Sequence, residues 1–398
     1  MAFSQDAQRL VGAYCSTREA GQETARWLYY SLPNTERKQD SHTHNQSTRG
    51  SNMTQRRNFT IFVVSATFVA AMWIVTNLVP IGGSNETANA TATSGVKIVE
   101  AARAFEATLE PGQKEKASFS YDDPERFNWH FIPRERNGLA VKELSKPQRQ
   151  KLEALLKAGL SKVGFDTVEN TRFLESVLRR LEGSKAKFDR NPDLYFISIF
   201  GEPNDKTEWG WRFEGHHLCL NFALKGADVR SATPLFFGAN PAKVADGPRK
   251  GLRVLAGVED IAHELMKSLD AEQRKIAVGE GEPVEVKSVE NKKYVGPFPA
   301  GIKAKAFNDE QKRTLNQLIQ EHTKHLAADL KLAVEKEIQA GGVDKITLSW
   351  RGGLESGQGH SYIVYGPSFV ISYANFQNNA MHIHSAFRDV TNEFGVGK

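Results

Sequence analysis

The chain contains one sequence pattern twice, in the segments Asn137-Gly-Leu-Ala-Val-Lys-Glu-Leu-Ser-Lys-Pro-Gln-Arg-Gln-Lys-Leu-Glu-Ala-Leu-Leu156 and Ala300-Gly-Ile-Lys-Ala-Lys-Ala-Phe-Asn-Asp-Glu-Gln-Lys-Arg-Thr-Leu-Asn-Gln-Leu-Ile319. The two segments align without a gap. In each, a short extended stretch precedes a helix, because Ser145 and Asn308 are good N-cap residues and a glutamine follows three positions later. Apolar residues then recur with the i, i+3, i+4 spacing that gives a helix one buried face.

Further helix and then β structure follow each of these segments. The predicted β segments are Leu194–Phe200, Trp209–Phe222, Lys345–Trp350 and Ser361–Tyr373. Gly215 aligns with Gly366, where a bulge or kink is expected in both hairpins. We therefore predict an α+β fold made of two helix-plus-antiparallel-hairpin units, about residues 126–225 and 297–376, related by a pseudo-twofold axis and joined by a helical bridge around Val258–Ser268. Chance similarity of two amphipathic helices is the alternative, and the shared order of helix, strand, glycine turn and strand argues against it.

An uncharged segment, Phe59–Val79, precedes this region and is long enough to cross a hydrocarbon core of roughly 30 Å as a helix. Arg56 and Arg57 come directly before it, so the positive-inside rule keeps the N-terminus in the cytoplasm and places the C-terminal domain outside. The alternative is a signal peptide that starts at Met53 and is cleaved near residues 90–92, which would give a secreted or periplasmic protein. Both interpretations predict export, with the membrane as partner if the segment is an uncleaved anchor.

The remaining organisation follows from composition. Residues 1–58 are predicted to be an unstructured or mis-started tail, residues 80–95 a polar linker and residues 96–398 one globular domain. Cys15 and Cys219 lie on opposite sides of the uncharged segment, so a disulfide is not expected, and Cys219 is interpreted as a buried apolar residue of a strand. The net charge of +5 is not gathered into a basic stripe with aromatics, so no nucleic-acid partner is predicted.

Histidine pairs supply the candidate metal ligands. His216 and His217 fall within a predicted strand, which would point them to opposite faces, so that only one enters a given site. His382 and His384 would share a face if extended, which is a common way for a strand to present two imidazoles to one metal. A divalent transition metal such as zinc is therefore a possible cofactor, and structural hydrogen bonding of the histidines is the alternative.

Aromatic residues of the hairpins are a second candidate feature. Most are typical of a sheet core, whereas Trp209 and Trp211, with Arg212 and Glu214 interleaved, are candidates to line a pocket on one strand face. Asn221 and His360 are further candidates for ligand binding, and Glu202 and His360 are predicted to lie near the hairpin turns. Glu259 and His263 are one helical turn apart and are predicted to pair on a helix surface.

Several of these segments together resemble one family. They are Phe200-Gly-Glu-Pro, Trp209-Gly-Trp-Arg-Phe-Glu-Gly-His-His-Leu-Cys-Leu-Asn221, Gly238-Ala-Asn-Pro241, Gly366-Pro-Ser-Phe369 and Gln377-Asn-Asn-Ala-Met-His-Ile-His-Ser-Ala-Phe-Arg-Asp389. Over about residues 97–398 the chain resembles the domain of unknown function 3500 family, whose members are often exported and have no assigned reaction. The resemblance implies an acidic residue at the positions of Ser372 and Ala374 and an arginine at that of Ile363, so this chain is a degenerate member if those acids are catalytic. His360, His382, His384, Arg388 and Asp389 match the family pattern.

Two functional hypotheses follow. The first is an exported metal-dependent hydrolase in which His382 and His384, with His216 or His217, hold the ion that activates water. Its general base would be Glu202 or Glu214, and Arg212 or Arg388 would stabilise a developing anion.

The second hypothesis is a non-catalytic ligand-binding or envelope-interaction module. In this hypothesis the hairpins frame an aromatic groove, the histidines fix its walls, and the ligand is an unidentified small molecule or polymer.

Overall fold

The computed structural model describes residues 92–287, 294 and 296–397. The predicted tail 1–58, the segment 59–79 and the linker up to residue 91 lie outside the described residues. In the part of the chain that is described, no helix has the length and apolar character needed to cross a membrane. The first helix begins at Ser94.

Eight α-helices and twelve β-strands make up the described residues. The helices are α1 (Ser94–Glu106), α2 (Pro111–Ala117), α3 (Lys146–Gly159), α4 (Lys162–Glu182), α5 (Ala256–Ser268), α6 (Ala271–Ala277), α7 (Asp309–Thr323) and α8 (Ala328–Gly341). The strands are β1 (Ser118–Phe119), β2 (Leu139–Ala140), β3 (Tyr195–Phe200), β4 (Glu208–Gly215), β5 (Leu218–Lys225), β6 (Asp228–Ser231), β7 (Leu235–Ala239), β8 (Ile302–Lys303), β9 (Thr347–Gly352), β10 (His360–Tyr365), β11 (Phe369–Gln377) and β12 (His382–Asp389). The predicted α+β class is confirmed.

All twelve strands belong to one sheet. Its order is β1-β3-β4-β5-β7-β12-β11-β10-β9-β8, with β2 also paired to β3 and β6 to β5. Only the short pair β1–β3 is parallel among the described strands. The centre of the sheet is the antiparallel pair β7–β12, which joins strands that are far apart in the sequence.

The two predicted N-caps form as expected and are tied to neighbouring helices. Capping boxes are present at Ser145 with Gln148 and at Asn308 with Gln311. The Gln148 amide also donates to the Thr108 carbonyl at 2.7 Å, and the Gln311 amide donates to the Ser268 carbonyl at 2.8 Å. Each capping glutamine therefore joins the start of its helix to the end of an earlier one.

The predicted strand Trp209–Phe222 is wrong in one respect, because it is a hairpin. Strand β4 ends at Gly215 and β5 begins at Leu218, so His216 and His217 form the turn, with φ of 63° at His217. Gly215 is not a bulge. It is a glycine because a Cβ there would lie 2.4 Å from the Tyr195 ring, a distance that real Cβ atoms do not reach.

The sheet separates two hydrophobic cores. The larger core contains the buried faces of the helices and alternate residues of the strands, such as Trp209, Trp211 and Ile383. The smaller core covers the opposite face and contains Trp129, Phe131, Cys219, Phe236, Val286, Ala374, Ala386 and Phe394. The predicted burial of Cys219 is confirmed. Connecting segments and the C-terminal residues, rather than helices, supply the outer layer of this second core.

Candidate metal centre

Three histidines from two distant segments lie together on the sheet face of the smaller core. Because β5 pairs with β7 and β7 pairs with β12, the turn that precedes β5 reaches β12 across a single strand. Gly238 of β7 permits this approach, since a Cβ there would lie only 2.8 Å from Cγ of His217. The ring of His217 thereby meets those of His382 and His384, two alternate residues of β12.

The three imidazoles converge through their Nε2 atoms. Nε2 of His217 lies 2.7 Å from Nε2 of His382 and 3.2 Å from Nε2 of His384. Three nitrogens bound to one tetrahedral zinc ion at 2.0–2.1 Å would be about 3.3 Å apart. The His217–His384 pair therefore already has the spacing of two zinc ligands, whereas the nitrogens of His217 and His382 would have to move apart.

The protonation states suit metal binding. Burial lowers the pKa of His217 and of His382 well below the ordinary value, and the neighbouring histidines lower it further. Nδ1 of His384 lies 2.7 Å from a carboxylate oxygen of Glu285, which places a proton on Nδ1 and leaves a lone pair on Nε2. A hydrogen bond between two neutral imidazoles would also explain the 2.7 Å contact, but the third Nε2 would then have to share the same proton.

Aromatic rings enclose the cluster on one side. Phe131 stacks on Phe236 with 4.2 Å between ring centroids, and its ring lies 4.7 Å from that of His384. The Phe131 carbonyl accepts a hydrogen bond from the His217 backbone at 2.9 Å, which fixes the turn. His382 is partly exposed, whereas His217 and His384 are buried, so the cluster opens to solvent on the His382 side.

The fourth predicted ligand, His216, lies outside this cluster. Its Nδ1 contacts a carboxylate oxygen of Glu175 on α4, and Arg190 lies beside both residues. Its ring packs on that of His217 at 3.8 Å between centroids. The two histidines have different partners although their rings pack together, and they occupy a turn rather than alternating positions of a strand.

The predicted acid–base residues are engaged elsewhere. Glu214 and Arg212 are buried next to each other, with 2.8 Å between Nε and Oε1, and also pair with Arg136 and Glu125 respectively. Glu202 is exposed in the β3–β4 connection, at the opposite end of β4 from the histidine turn. Glu214 and Arg212 are thus held in buried ion pairs, and Glu202 lies far along β4 from the histidine turn.

Arg388 is buried in a pair with Glu393. Its Nε and Nη2 donate to the two carboxylate oxygens at 2.5 and 2.7 Å. The guanidinium also lies 4.8 Å from the ring centroid of Tyr294. This bidentate pair joins β12 to the C-terminal segment and holds the arginine away from the histidine cluster.

The predicted ligand-binding residues Trp209, Trp211 and Asn221 serve the fold. Trp209 and Trp211 belong to the larger core, where Trp209 donates to the Gly226 carbonyl at 2.9 Å and Trp211 stacks on Phe222 at 4.3 Å. Asn221 donates to the Pro234 carbonyl at 2.8 Å. The expected pocket on one strand face is wrong, because the tryptophans point to the helices and the interleaved Arg212 and Glu214 to the opposite face.

His360 lies in a second group of potential ligands, with Glu259 and His263. One ligand atom from each residue lies within 4.8 Å of the other two. All three are buried, so the prediction that Glu259 and His263 pair on a helix surface is wrong. They are buried because this face of α5 packs on the sheet, where the His263 ring meets the edge of Trp350.

The comparisons with known proteins agree with the sequence resemblance. Residues 91–396 match the family described as Protein of unknown function (DUF3500). The chain belongs to this family. Neither a curated protein nor a solved structure matches it. Both groups of potential ligands in this DUF3500 domain lie within the matched residues.

Glu285, which orients His384, was not predicted from the sequence. It lies in a segment between α6 and β8 with neither helical nor strand periodicity, so no local pattern marks it. The Gln377 amide donates to its other carboxylate oxygen. The nearest sequence signal is that Gln377 begins the stretch of family resemblance that contains His382 and His384.

Proposed function

We propose that the domain binds a divalent transition metal ion, with zinc as the best match, through His217, His382 and His384. The observation that carries this proposal is the convergence of three Nε2 atoms from two distant segments. Zinc favours imidazole nitrogen, and the carboxylate of Glu285 behind His384 is the kind of outer partner that orients metal-binding histidines. Three protein ligands leave a fourth position open, as in catalytic rather than structural zinc sites.

The reaction class that fits such a centre is hydrolysis. A zinc ion with an open position lowers the pKa of a bound water and polarises a carbonyl or phosphoryl oxygen. In this proposal His217, His382 and His384 hold the ion, Glu285 orients His384, and Phe131 and Phe236 limit access of water from one side. No role is assigned to the predicted general bases, because Glu214 is held in ion pairs with Arg212 and Arg136 and Glu202 is exposed at the opposite end of β4.

A non-catalytic binding module is the second candidate, and one observation favours it. The family resemblance implies acids at positions 372 and 374, and Ala374 lies directly opposite His384 in the pairing of β11 with β12. Ser372 lies opposite Ala386, two residues further along β12. An acid at position 374 would stand beside His384. Its absence here leaves the Glu285 carboxylate at the cluster, and that carboxylate is already engaged by His384 and Gln377.

Metal analysis of the full chain tests the proposal. We expect the zinc content of the purified protein, measured by mass spectrometry, to fall by one equivalent per chain in His382→Ala/His384→Ala. The control is His216→Gln, which changes the adjacent histidine of the turn and should keep the full zinc content. Equal zinc content in the wild type and the double variant, with both folded, would contradict the proposal.

Activity then separates the two candidates. The wild type is assayed against carboxylic ester, phosphoester and peptide substrates before and after chelation, and zinc is restored afterwards. Hydrolysis that is lost in His382→Ala/His384→Ala and kept in His216→Gln supports the hydrolase. Zinc binding without turnover on any of the three classes supports the binding module.

We also propose that the domain arose by duplication. Apart from β1, the elements from α1 to β5 run in the order α, α, β, α, α, β, β, β. After β6 and β7, the elements from α5 to β11 run in the same order. The hydrogen bond between the Gln148 and Gln113 amides has its counterpart between Gln311 and Gln273, at 2.7 and 2.8 Å.

Export through the segment 59–79 stays a prediction from the sequence. The presence of the protein in the membrane fraction of cells that express the full chain would test it.

A further inference from the structure

A second group of potential ligands lies on the other face of the sheet from the histidine centre. Glu259 and His263 are four residues apart on α5 and therefore share a helix face. His360 is the first residue of β10 and its ring stacks on Trp350 at 4.7 Å, in the layer that faces the helices. The three residues are 6, 6 and 0% exposed.

The two imidazoles each have one nitrogen occupied and one unoccupied. Nδ1 of His263 lies 3.0 Å from the Leu354 carbonyl, and Nδ1 of His360 lies 2.9 Å from the Gln358 carbonyl. Because a carbonyl only accepts, each Nδ1 carries the proton and each Nε2 carries a lone pair. Both Nε2 atoms are buried and have no hydrogen-bond partner among the residues that the structure describes.

Such a pair of buried, unpartnered acceptors needs an explanation, since buried polar atoms in folded proteins are almost always satisfied. Carbonyl groups that fix the tautomer of two histidines, so that Nε2 is bare in each, are the usual outer partners of metal-binding imidazoles.

The carboxylate of Glu259 completes the group and is itself held in place. One oxygen accepts from the Asn375 amide at 3.0 Å and the other from the Arg253 guanidinium at 2.8 Å. Each carboxylate oxygen has a further lone pair available to a cation. The ligand atoms of Glu259, His263 and His360 lie within 4.8 Å of one another.

We propose that Glu259, His263 and His360 form a second site for a divalent transition metal ion, separate from the three-histidine centre. Two imidazoles and one carboxylate make a ligand set that zinc takes in proteins. The ion would add a link between α5 and the start of β10, two elements that the hydrogen bond from the Tyr362 hydroxyl to the Val258 carbonyl already joins at 2.8 Å.

Zinc binding to the full chain tests this inference. The protein is stripped with a chelator, dialysed and titrated with zinc, and bound metal is counted by mass spectrometry. We expect two equivalents in the wild type, one in His263→Ala/His360→Ala and one in His382→Ala/His384→Ala. The matched control is His322→Gln, because His322 is equally buried but both of its nitrogens contact hydroxyl groups, those of Tyr362 and Ser385. This control should keep two equivalents.

The outcomes separate the two sites. One equivalent in the wild type, lost only in His382→Ala/His384→Ala, overturns the second site and leaves the proposed function standing. One equivalent that is lost only in His263→Ala/His360→Ala supports the second site and overturns the first. If the His263→Ala/His360→Ala chain does not fold, the Glu259→Gln variant is titrated instead. We expect one of its two zinc equivalents to bind at least tenfold more weakly than in the wild type. An unchanged affinity in a folded Glu259→Gln chain overturns the inference.

Discussion

Replacing Arg388 by methionine should destabilise the domain strongly, although Arg388 was predicted from the sequence to act on a substrate. Arg388 and Glu393 are 0 and 2% exposed, and two hydrogen bonds join them. Arg388→Met keeps the side-chain volume roughly constant but leaves the Glu393 carboxylate buried without a counter-charge. Breaking a buried pair in this way costs about 3–5 kcal/mol in the free energy of unfolding.

That cost translates into a measurable shift of the melting temperature. The entropy of unfolding is about 2.1 cal/mol/K per residue, or roughly 0.6 kcal/mol/K for a domain of about 300 residues. We therefore expect Arg388→Met to lower Tm by about 5–8 °C in calorimetry. Arg388→Met/Glu393→Gln should lose clearly less, because no buried charge remains.

A surface pair supplies the control. Arg180 and Asp246 are joined by a salt bridge whose side chains are 42 and 69% exposed. Because exposed pairs contribute at most about 1 kcal/mol, Arg180→Met should shift Tm by less than about 2 °C. A shift equally small in Arg388→Met would refute the structural role, and Arg388 would again be a candidate for substrate contact.

The pH dependence provides an independent check of the same reasoning. Burial raises the pKa of Glu393 above its ordinary value, and Arg388 opposes this increase. Removal of Arg388 should raise that pKa further. A carboxyl group with a raised pKa in the folded state stabilises the fold below its unfolded pKa, and this contribution is lost as the pH rises. The deficit of Arg388→Met relative to the wild type should therefore be larger at pH 8 than at pH 5.

Three further predictions concern the helices. Gly164→Ala should lower the free energy of unfolding in urea by several kcal/mol, because its Cβ would lie 2.1 Å from the His325 carbonyl oxygen. Gly112→Ala should raise it by up to about 1 kcal/mol, since the new Cβ would meet no neighbouring residue of the described structure within 4 Å. Gln148→Ala and Gln311→Ala should each lower the free energy of unfolding by about 1–2 kcal/mol in the same assay, because each variant loses a capping box and an interhelical hydrogen bond. Unequal losses would argue against equivalent roles of the two glutamines. Burial lowers the pKa of His322 to about 3 in the folded protein. The neutral imidazole therefore stabilises the fold fully above the unfolded-state pKa of about 6.5, and the free energy of unfolding falls by about 2 kcal/mol by pH 5. His322→Gln should remove that part of the pH dependence.

The sequence predicted the elements whose information is local. The capping boxes at Ser145 and Asn308 depend on residues three positions apart, and both form. The turn at His216 and His217 was missed, although a signal was present. The large apolar residues of the larger core occupy odd positions from Trp209 to Phe213 and even positions from Leu218 to Leu224, and this change of phase marks a turn within the apparent strand.

The candidate site was only partly predictable because its contacts are long-range. The spacing of His382 and His384 indicates one shared face of a strand, and their rings lie 4.6 Å apart. The approach of His217 depends on the pairing of β5 with β7 and of β7 with β12, which no local pattern encodes. Similarly, Glu259 and His263 have the spacing of an exposed ion pair, and only the packing of α5 on the sheet shows that they are buried.

The end of β11 organises the outer contacts of both groups of ligands, and a β-bulge makes this possible. Asn375 pairs with Ile383 and Gln377 with His382, so Phe376 is an extra residue in β11. In a regular strand Asn375 and Gln377 would point to the same face. The bulge instead lets Asn375 reach Glu259 on the helix side while Gln377 reaches Glu285 on the other side. Asn375 also accepts a hydrogen bond from the His382 backbone at 3.1 Å, so this one residue contacts a ligand of each group. The Asn375 amide therefore joins the carboxylate of Glu259 to the backbone of β12 at His382, which is a physical reason to measure the two zinc equivalents in the same chain.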